Sequence, residues 1–253
     1  MKIENILFDM GFTLITFKNF SVKKYVLSLK KNIEYLQSYL IDENIISNIN
    51  FGQVLKENQK KYFQKSFITD DEYSIEFILK ESFKEIGLSS KEITDELIDN
   101  SAKVLYSKDA ENWKAYPDSE STLKSLKERG FKLAIVSNAP WHGGVVQILK
   151  LNKLSKYFDT IISSALAKVR KPKPGIFNLA LSNLNAEISN SIFIGDDLYC
   201  DIFGAQKLGM KAIHFNKGFE LPSPKTIDIK PDERIDKISQ IIPIIEKWSN
   251  GPI

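Results

Sequence analysis

Four polar clusters in this chain carry residue types that can do chemistry, and each follows directly on a short apolar run. The first is Asp9-Met10-Gly11-Phe12-Thr13 after Ile6-Leu7-Phe8, and the second is Ser137-Asn138 after Leu133-Ala134-Ile135-Val136. The third is Lys171 within Val169-Arg170-Lys171-Pro172-Lys173-Pro174, just ahead of a helical pattern. The fourth is Gly195-Asp196-Asp197 after Ile192-Phe193-Ile194, with Asp201 following. Open parallel sheets bind ligands in the crevice beyond the carboxyl ends of their strands. A carboxylate, a hydroxyl, a lysine and an acidic pair at four such ends can therefore meet at one ligand. Singly, each cluster reads as a turn or a solvated loop. Four in this order do not.

The elements that must position them are legible from the patterning. Apolar runs without period-two alternation suit strands buried on both faces of a parallel sheet. They are expected over residues 3–8, 132–136, 160–163, 191–194 and 211–215. Helical patterns fall between them over 119–129, 176–184 and 202–208, the first and last closed by Gly130 and Gly209. Such alternation predicts an α/β fold with a doubly wound parallel sheet and right-handed crossovers.

Residues 20–113 read differently. Tyr25, Leu29, Ile33, Leu36 and Leu40 recur at steps of three and four, one face of a helix. Further helices are expected over 54–67, 73–86 and 93–105, with Ser90 as an N-cap. The expected organisation is a core of residues 1–19 and 114–253 interrupted by an all-helical cap domain of residues 20–113, hinged near 16–19 and 114–117. A last amphipathic helix is expected over 234–248, kinked or delayed by Pro243, after a proline-bearing loop at 221–224.

The ordered set of carboxylate, hydroxyl, lysine and acidic pair resembles the four motifs of the haloacid dehalogenase-like (HAD) hydrolase superfamily. The resemblance covers residues 3–19 and 116–215, with the insertion where that family carries a cap. It implies a Rossmann-like core and phosphomonoester hydrolysis through an aspartyl-phosphate, with Asp9 as the nucleophile. It also implies a Mg²⁺ ion held by Asp9, Asp196 and the backbone carbonyl of Gly11, and a small phosphorylated metabolite as substrate. Thr13, Ser137, Asn138 and Lys171 would hold the phosphoryl oxygens. Lys171 would also offset the charge where Asp9 and Asp196 crowd together. Asp197 and Asp201 would stand behind, holding the acidic loop. Asp196 is preferred to Asp197 as the ligand because it follows Gly195 directly, as in the family pattern.

One position departs from that pattern. Gly11 stands where most phosphatases of the family carry a second aspartate, a general acid and base worth about 10²–10⁴-fold. Its loss leaves three readings. The leaving group departs unprotonated, as from sugar 1-phosphates, acyl phosphates or aryl phosphates; another group such as His142 stands in; or the chemistry is feeble. His214 reads as structural. The 2-haloacid dehalogenases also lack the second aspartate, but they carry tyrosine at the Gly11 position and serine and asparagine in place of the acidic loop. The acidic loop here argues for the metal-dependent phosphatase, since carboxylates facing Asp9 without a cation would be expensive. A non-catalytic phosphate-binding module is the further alternative, supported by Gly11 alone.

Composition sets the outer bounds. The 253 residues suffice for one large or two modest domains, and 43% hydrophobic with 26% charged residues is ordinary for a globular protein. A net charge of +3 without a polybasic cluster gives no support to a nucleic-acid partner. The single Cys200 excludes an internal disulfide and reads as a small apolar residue. No stretch approaches the ~18 apolar residues of a membrane span. Asp9 interrupts the one candidate signal core, so the expectation is a cytoplasmic protein, of unspecified oligomeric state.

Overall fold

The computed structural model describes residues 2–47, 50–219 and 228–249. The proline-bearing loop expected at 221–224 lies outside them. Six parallel strands make the central sheet: β1 (Asn5–Phe8), β4 (Lys132–Ser137), β5 (Thr160–Ser163), β6 (Ser191–Gly195), β7 (Lys211–Phe215) and β8 (Glu233–Ile235). Their order across the sheet is β5-β4-β1-β6-β7-β8. The chain leaves β1 toward one edge and leaves β6 toward the other, so the topological switch lies between these two strands. Asp9 and Asp196 each come directly after one of them.

The reason these runs form central strands is visible in their burial. Ile6, Leu7 and Phe8 are wholly inaccessible. Ile6 and Phe8 pack with Leu133, Ile135, Ile192 and Ile194 on one face, and Leu7 packs with Ala134, Val136 and Phe193 on the other. Each such side chain contributes about 1.5–3 kcal/mol on burial. Helices α5 (Ser119–Glu128), α6 (His142–Leu151), the short α7 (Ser164–Ala167), α8 (Pro174–Leu184) and the short α9 (Gly204–Lys207) form the crossovers. The five anticipated strands lie within two residues of their expected bounds.

Between β1 and β4 the chain makes α1 (Val22–Asp42), α2 (Phe51–Thr69), α3 (Ile75–Glu85) and α4 (Asp95–Tyr106). Ser21, Ser74 and Thr94 cap three of them by accepting from backbone N–H groups three residues on. Leu36, Leu40, Phe51, Leu55 and Phe83 build a separate apolar cluster, with the Phe51 and Phe83 rings stacked at 4.9 Å. Trp141, from the loop between β4 and α6, joins this cluster and stacks on Tyr106 at 5.2 Å. Where the insertion leaves and rejoins the sheet, β2 (Ile15–Phe17) and β3 (Trp113–Ala115) pair antiparallel, Phe17 opposite Trp113.

Three expectations need correction. Ser90 does not cap α4; Thr94 does, and residues 89–93 form a turn held by the Glu92 carboxylate on Ser89. Residues 202–208 are not one regular helix: a π-helical turn at Leu198–Phe203 leads into the short α9, because Asp197 captures two backbone N–H groups at its start. The helix expected from 234 begins only with α10 (Ile241–Ser249). Pro243 is tolerated in its first turn, where an N–H has no partner to lose. The residues before it are drawn into β8 at the sheet edge, pairing with β7.

Candidate active site

The floor of the site is the end of β1. Asp9 N–H donates to the Ile194 carbonyl at 2.8 Å, so the residue is still tied to β6 while its side chain clears the sheet. The chain then turns tightly: Phe12 takes φ 60° and its N–H donates to Ile15 O at 2.6 Å, while Met10 O accepts from Leu14 and Ile15. This turn seats the fully buried Thr13 beneath the site, where its hydroxyl donates to Asp196 Oδ1 at 3.1 Å. Ser137 ends β4, buried, with Asn138 following it.

Lys171 is almost wholly buried, and its ammonium lies 2.7 Å from each of Asp9 Oδ1, Asp201 Oδ1 and the Val136 carbonyl. Burial works against its charge, yet the Asp201 and Asp9 carboxylates outweigh that and hold its pKa above the ordinary lysine range. Asn138 clamps the loop that delivers it: Lys171 N–H donates to Asn138 Oδ1 at 2.8 Å, and Asn138 Nδ2 donates back to Lys171 O at 3.1 Å. The Lys171–Pro172 peptide bond is cis. Replacing Lys171 by Met leaves buried carboxylates without their counter-ion. The expected cost is about 3–5 kcal/mol in urea unfolding without divalent cations, together with loss of turnover. Unchanged stability would contradict this electrostatic reading.

The acidic loop divides its labour. Asp197 accepts from the N–H groups of Tyr199 and Cys200 at 2.9 and 2.7 Å, which turns its side chain to the start of the π-helical turn. Its own N–H donates to Asp201 Oδ2 at 3.0 Å. That turn swings Asp201 back under the sheet end, and a Cβ on Gly195 would collide with the Asp201 carboxylate. Glycine before the acidic pair is thus what lets Asp201 arrive. One oxygen each from Asp9, Asp196 and Asp201 falls within 4.8 Å of the others. Asp201 Oδ1 has the charge of Lys171 nearby but no hydrogen-bond partner of good geometry.

Such a set fits a hard cation: three carboxylates, all-oxygen donors, and one buried oxygen left short of a partner. Without a cation the crowding shows in the titration of the group. Burial, then the charge of Asp9, push Asp196 up to about 7, with Lys217 pulling the other way. Burial pushes Asp201 in the same direction, against the opposing pull of the Lys171 ammonium.

Sequence reasoning placed Asp9, Lys171, Ser137 and Asp196 around one point, and the structure brings all four to one cavity. Asn138 lines it too, while the buried Thr13 is not among its lining residues; their side chains hold the lysine loop and Asp196. Gly11 lines the cavity and packs toward the Trp113 ring. His142 bonds Ser163 through Nδ1 at 3.1 Å and is not among the described residues lining the cavity. His214 holds the Asp196 backbone carbonyl through Nε2 at 3.1 Å, a structural contact.

Lys217 was missed. It pairs closely with Asp196 Oδ2, both side chains 8% exposed, with its ammonium over the Phe12 and Phe219 rings. The rule that singled out Asp9 would have found it, since Lys217 lies two residues beyond the end of β7.

A doubly wound sheet with these four loops gathered at its switch point defines a class of hydrolase, and residues 6–215 match the family described as haloacid dehalogenase-like hydrolase. The chain belongs to that family. Over 135 residues it is 31% identical to a glyceraldehyde 3-phosphate phosphatase of Pyrococcus abyssi, covering 53% of this chain and 56% of that one. The chain thus spans little more than half the length of the first curated relatives it matches. Over 248 residues it is 27% identical to a Clostridium perfringens protein that bears the name of a pyrophosphatase, covering 98% of this chain and 100% of that one. The fold superposes on a 2-haloacid dehalogenase from Pseudomonas syringae with a TM-score of 0.69 at 22% identity, over 97% of this chain and 99% of that one. Among the described residues no helix is long and apolar enough to cross a membrane.

Proposed function

We propose that this protein is a Mg²⁺-dependent phosphomonoesterase acting through an aspartyl-phosphate on Asp9. The observation that carries the reading is the position of the Asp9 carboxylate. It is held at the switch point between the Lys171 ammonium, 2.7 Å away, and the acidic cluster with Asp196 and Asp201. One oxygen is committed to Lys171, and the carboxylate faces the cavity. Asp9, Asp196 and Asp201 would hold the ion, with the Gly11 carbonyl as the further ligand that the family pattern implies. When bound, the ion neutralises charge on the phosphoryl oxygens and on the carboxylates around it.

The remaining chemistry belongs to the chain. Lys171 bonds the Asp9 carboxylate and would offer positive charge to the transferring group. Ser137 would donate to an equatorial oxygen, while Thr13 and Asn138 fix Asp196 and the lysine loop. Residues 20–113 would act as a cap on the core of 1–19 and 114–253, opening about the β2–β3 ribbon to admit substrate and release phosphate. The relatives named for phosphatase and pyrophosphatase activity support this reading. The acidic cluster argues against a metal-free dehalogenase, for which three crowded carboxylates would serve no purpose.

A thermal titration tests the metal. Mg²⁺ at about a hundred times its Kd should raise Tm by roughly 5–10 °C, and Asp196→Asn should remove most of that shift. No shift in the unaltered protein would contradict the assignment.

A further inference from the structure

The cavity above Asp9 has a volume of about 630 Å³, far more than a phosphate needs and typical of a site for a drug-sized ligand. Its walls are apolar and aromatic. On one side Trp113 meets Phe12 at a tilt, ring centroids 5.2 Å apart, and Tyr25 edge-to-face at 6.4 Å. Tyr106 stacked on Trp141 forms the other. At the mouth Phe63 and Phe67 of α2 meet edge-on at 4.6 Å, yet remain 56% and 38% exposed. Rings left that open beside a cavity have apolar surface still to cover.

The charges of the cavity point the same way. Three cations line it among the described residues, and each is already engaged. Arg170 is 2.6 Å from Glu72, Lys171 is bound to Asp9 and Asp201, and Lys217 to Asp196. Six aspartates line it with them. No lysine between 18 and 65 is among the described residues of its wall. A substrate bearing a second anionic group would find every cation of this lining already engaged, and so no receptor. Tyr25 offers a neutral hydroxyl, pushed up to about 12 by burial and by Asp109. Asp109 is turned into the protein, accepting from Ser28 Oγ and Trp113 Nε1 at 3.2 Å each.

Gly11 adds the chemical half of the argument: nothing at that position protonates a departing oxygen. From these together, and resting on the phosphatase reading above, we infer that the substrates are aryl phosphates with an uncharged aromatic leaving group. An Asp9 oxygen bonds to phosphorus as the phosphorus–aryl oxygen bond breaks. The aryloxide leaves with the electron pair, stable without a proton from the enzyme, and takes one from water. A water molecule then attacks phosphorus, the bond to Asp9 breaks, and the water's two protons leave on the phosphate.

The test compares kcat/KM of the full chain with Mg²⁺ for naphthyl phosphate, 4-carboxyphenyl phosphate and acetyl phosphate. The naphthyl ester should exceed the carboxylated ester at least about tenfold. It should also exceed acetyl phosphate, although acetate is the better leaving group. Phe63→Ala, at a position more than half exposed, should raise KM for naphthyl phosphate. The naphthyl-over-acetyl preference should fall about five- to tenfold with it. Asp9-dependent hydrolysis in which acetyl or carboxyphenyl phosphate equals or outruns the naphthyl ester overturns the inference and leaves the phosphatase standing. An unchanged preference in Phe63→Ala also overturns it. No Asp9-dependent release from any of the three overturns both.

Discussion

Replacing Asp9 by Asn should reduce p-nitrophenyl phosphate hydrolysis by at least about 10⁴-fold, because the amide is no nucleophile toward phosphorus. The substitution is nearly isosteric, and Asn can still accept from Lys171 through its side-chain oxygen. Removing one of three crowded carboxylates relieves repulsion, so Tm without metal should hold or rise. Loss of turnover in a protein of undiminished Tm isolates the chemistry from the fold. Turnover retained within tenfold would remove Asp9 as the nucleophile and return the acidic cluster to a binding role.

Installing the missing carboxylate should do the opposite. Gly11→Asp is expected to speed hydrolysis of alkyl phosphates by about 10²–10⁴-fold, the usual worth of a positioned general acid and base. The structure has room for it. The Gly11 φ is not positive, and a Cβ there meets only the Trp113 ring edge at 3.7 Å, an ordinary contact. The gain should be small for aryl phosphates in the first half-reaction, whose leaving group needs no proton. It should be large in the second, where the water attacking phosphorus gains a base. Comparing kcat for an alkyl and an aryl phosphate in both proteins checks this. A variant that binds Mg²⁺ normally and gains nothing on either would show that Gly11 costs the enzyme little.

What was legible in the sequence and what was not follow from one distinction. Asp9, Ser137 and Asp196 sit at the junction of a fully buried strand and a turn, and burial on both faces writes itself as an uninterrupted apolar run. The position of such residues needs only the parallel-sheet rule. Asp201 needed more: the π-helical turn and the space over Gly195 bring it into the acidic cluster, and neither shows in a single strand pattern. Thr13 and Asn138 were expected to hold phosphoryl oxygens, whereas the bonds they make, to Asp196 and the lysine loop, depend on which way a tight turn presents a short side chain. The β2–β3 ribbon is three residues per strand, too short to show a period, and β8 is an edge strand hidden within a helical pattern. The cavity walls come from Phe12, Trp113 and α2, segments distant in sequence that only the packing of the insertion brings together.

The central claim is a covalent phosphoryl group on Asp9, and acid-quenched mass spectrometry tests it most directly. The protein is mixed with Mg²⁺ and excess p-nitrophenyl phosphate, quenched in the steady state, digested and mapped. With no base at Gly11 to drive its hydrolysis, the intermediate should accumulate. The expected result is one phosphoryl group on the peptide carrying Asp9, formed with a burst of nitrophenolate and absent from the Asp9→Asn protein. Steady turnover with an unmodified Asp9 peptide and no burst would contradict the account.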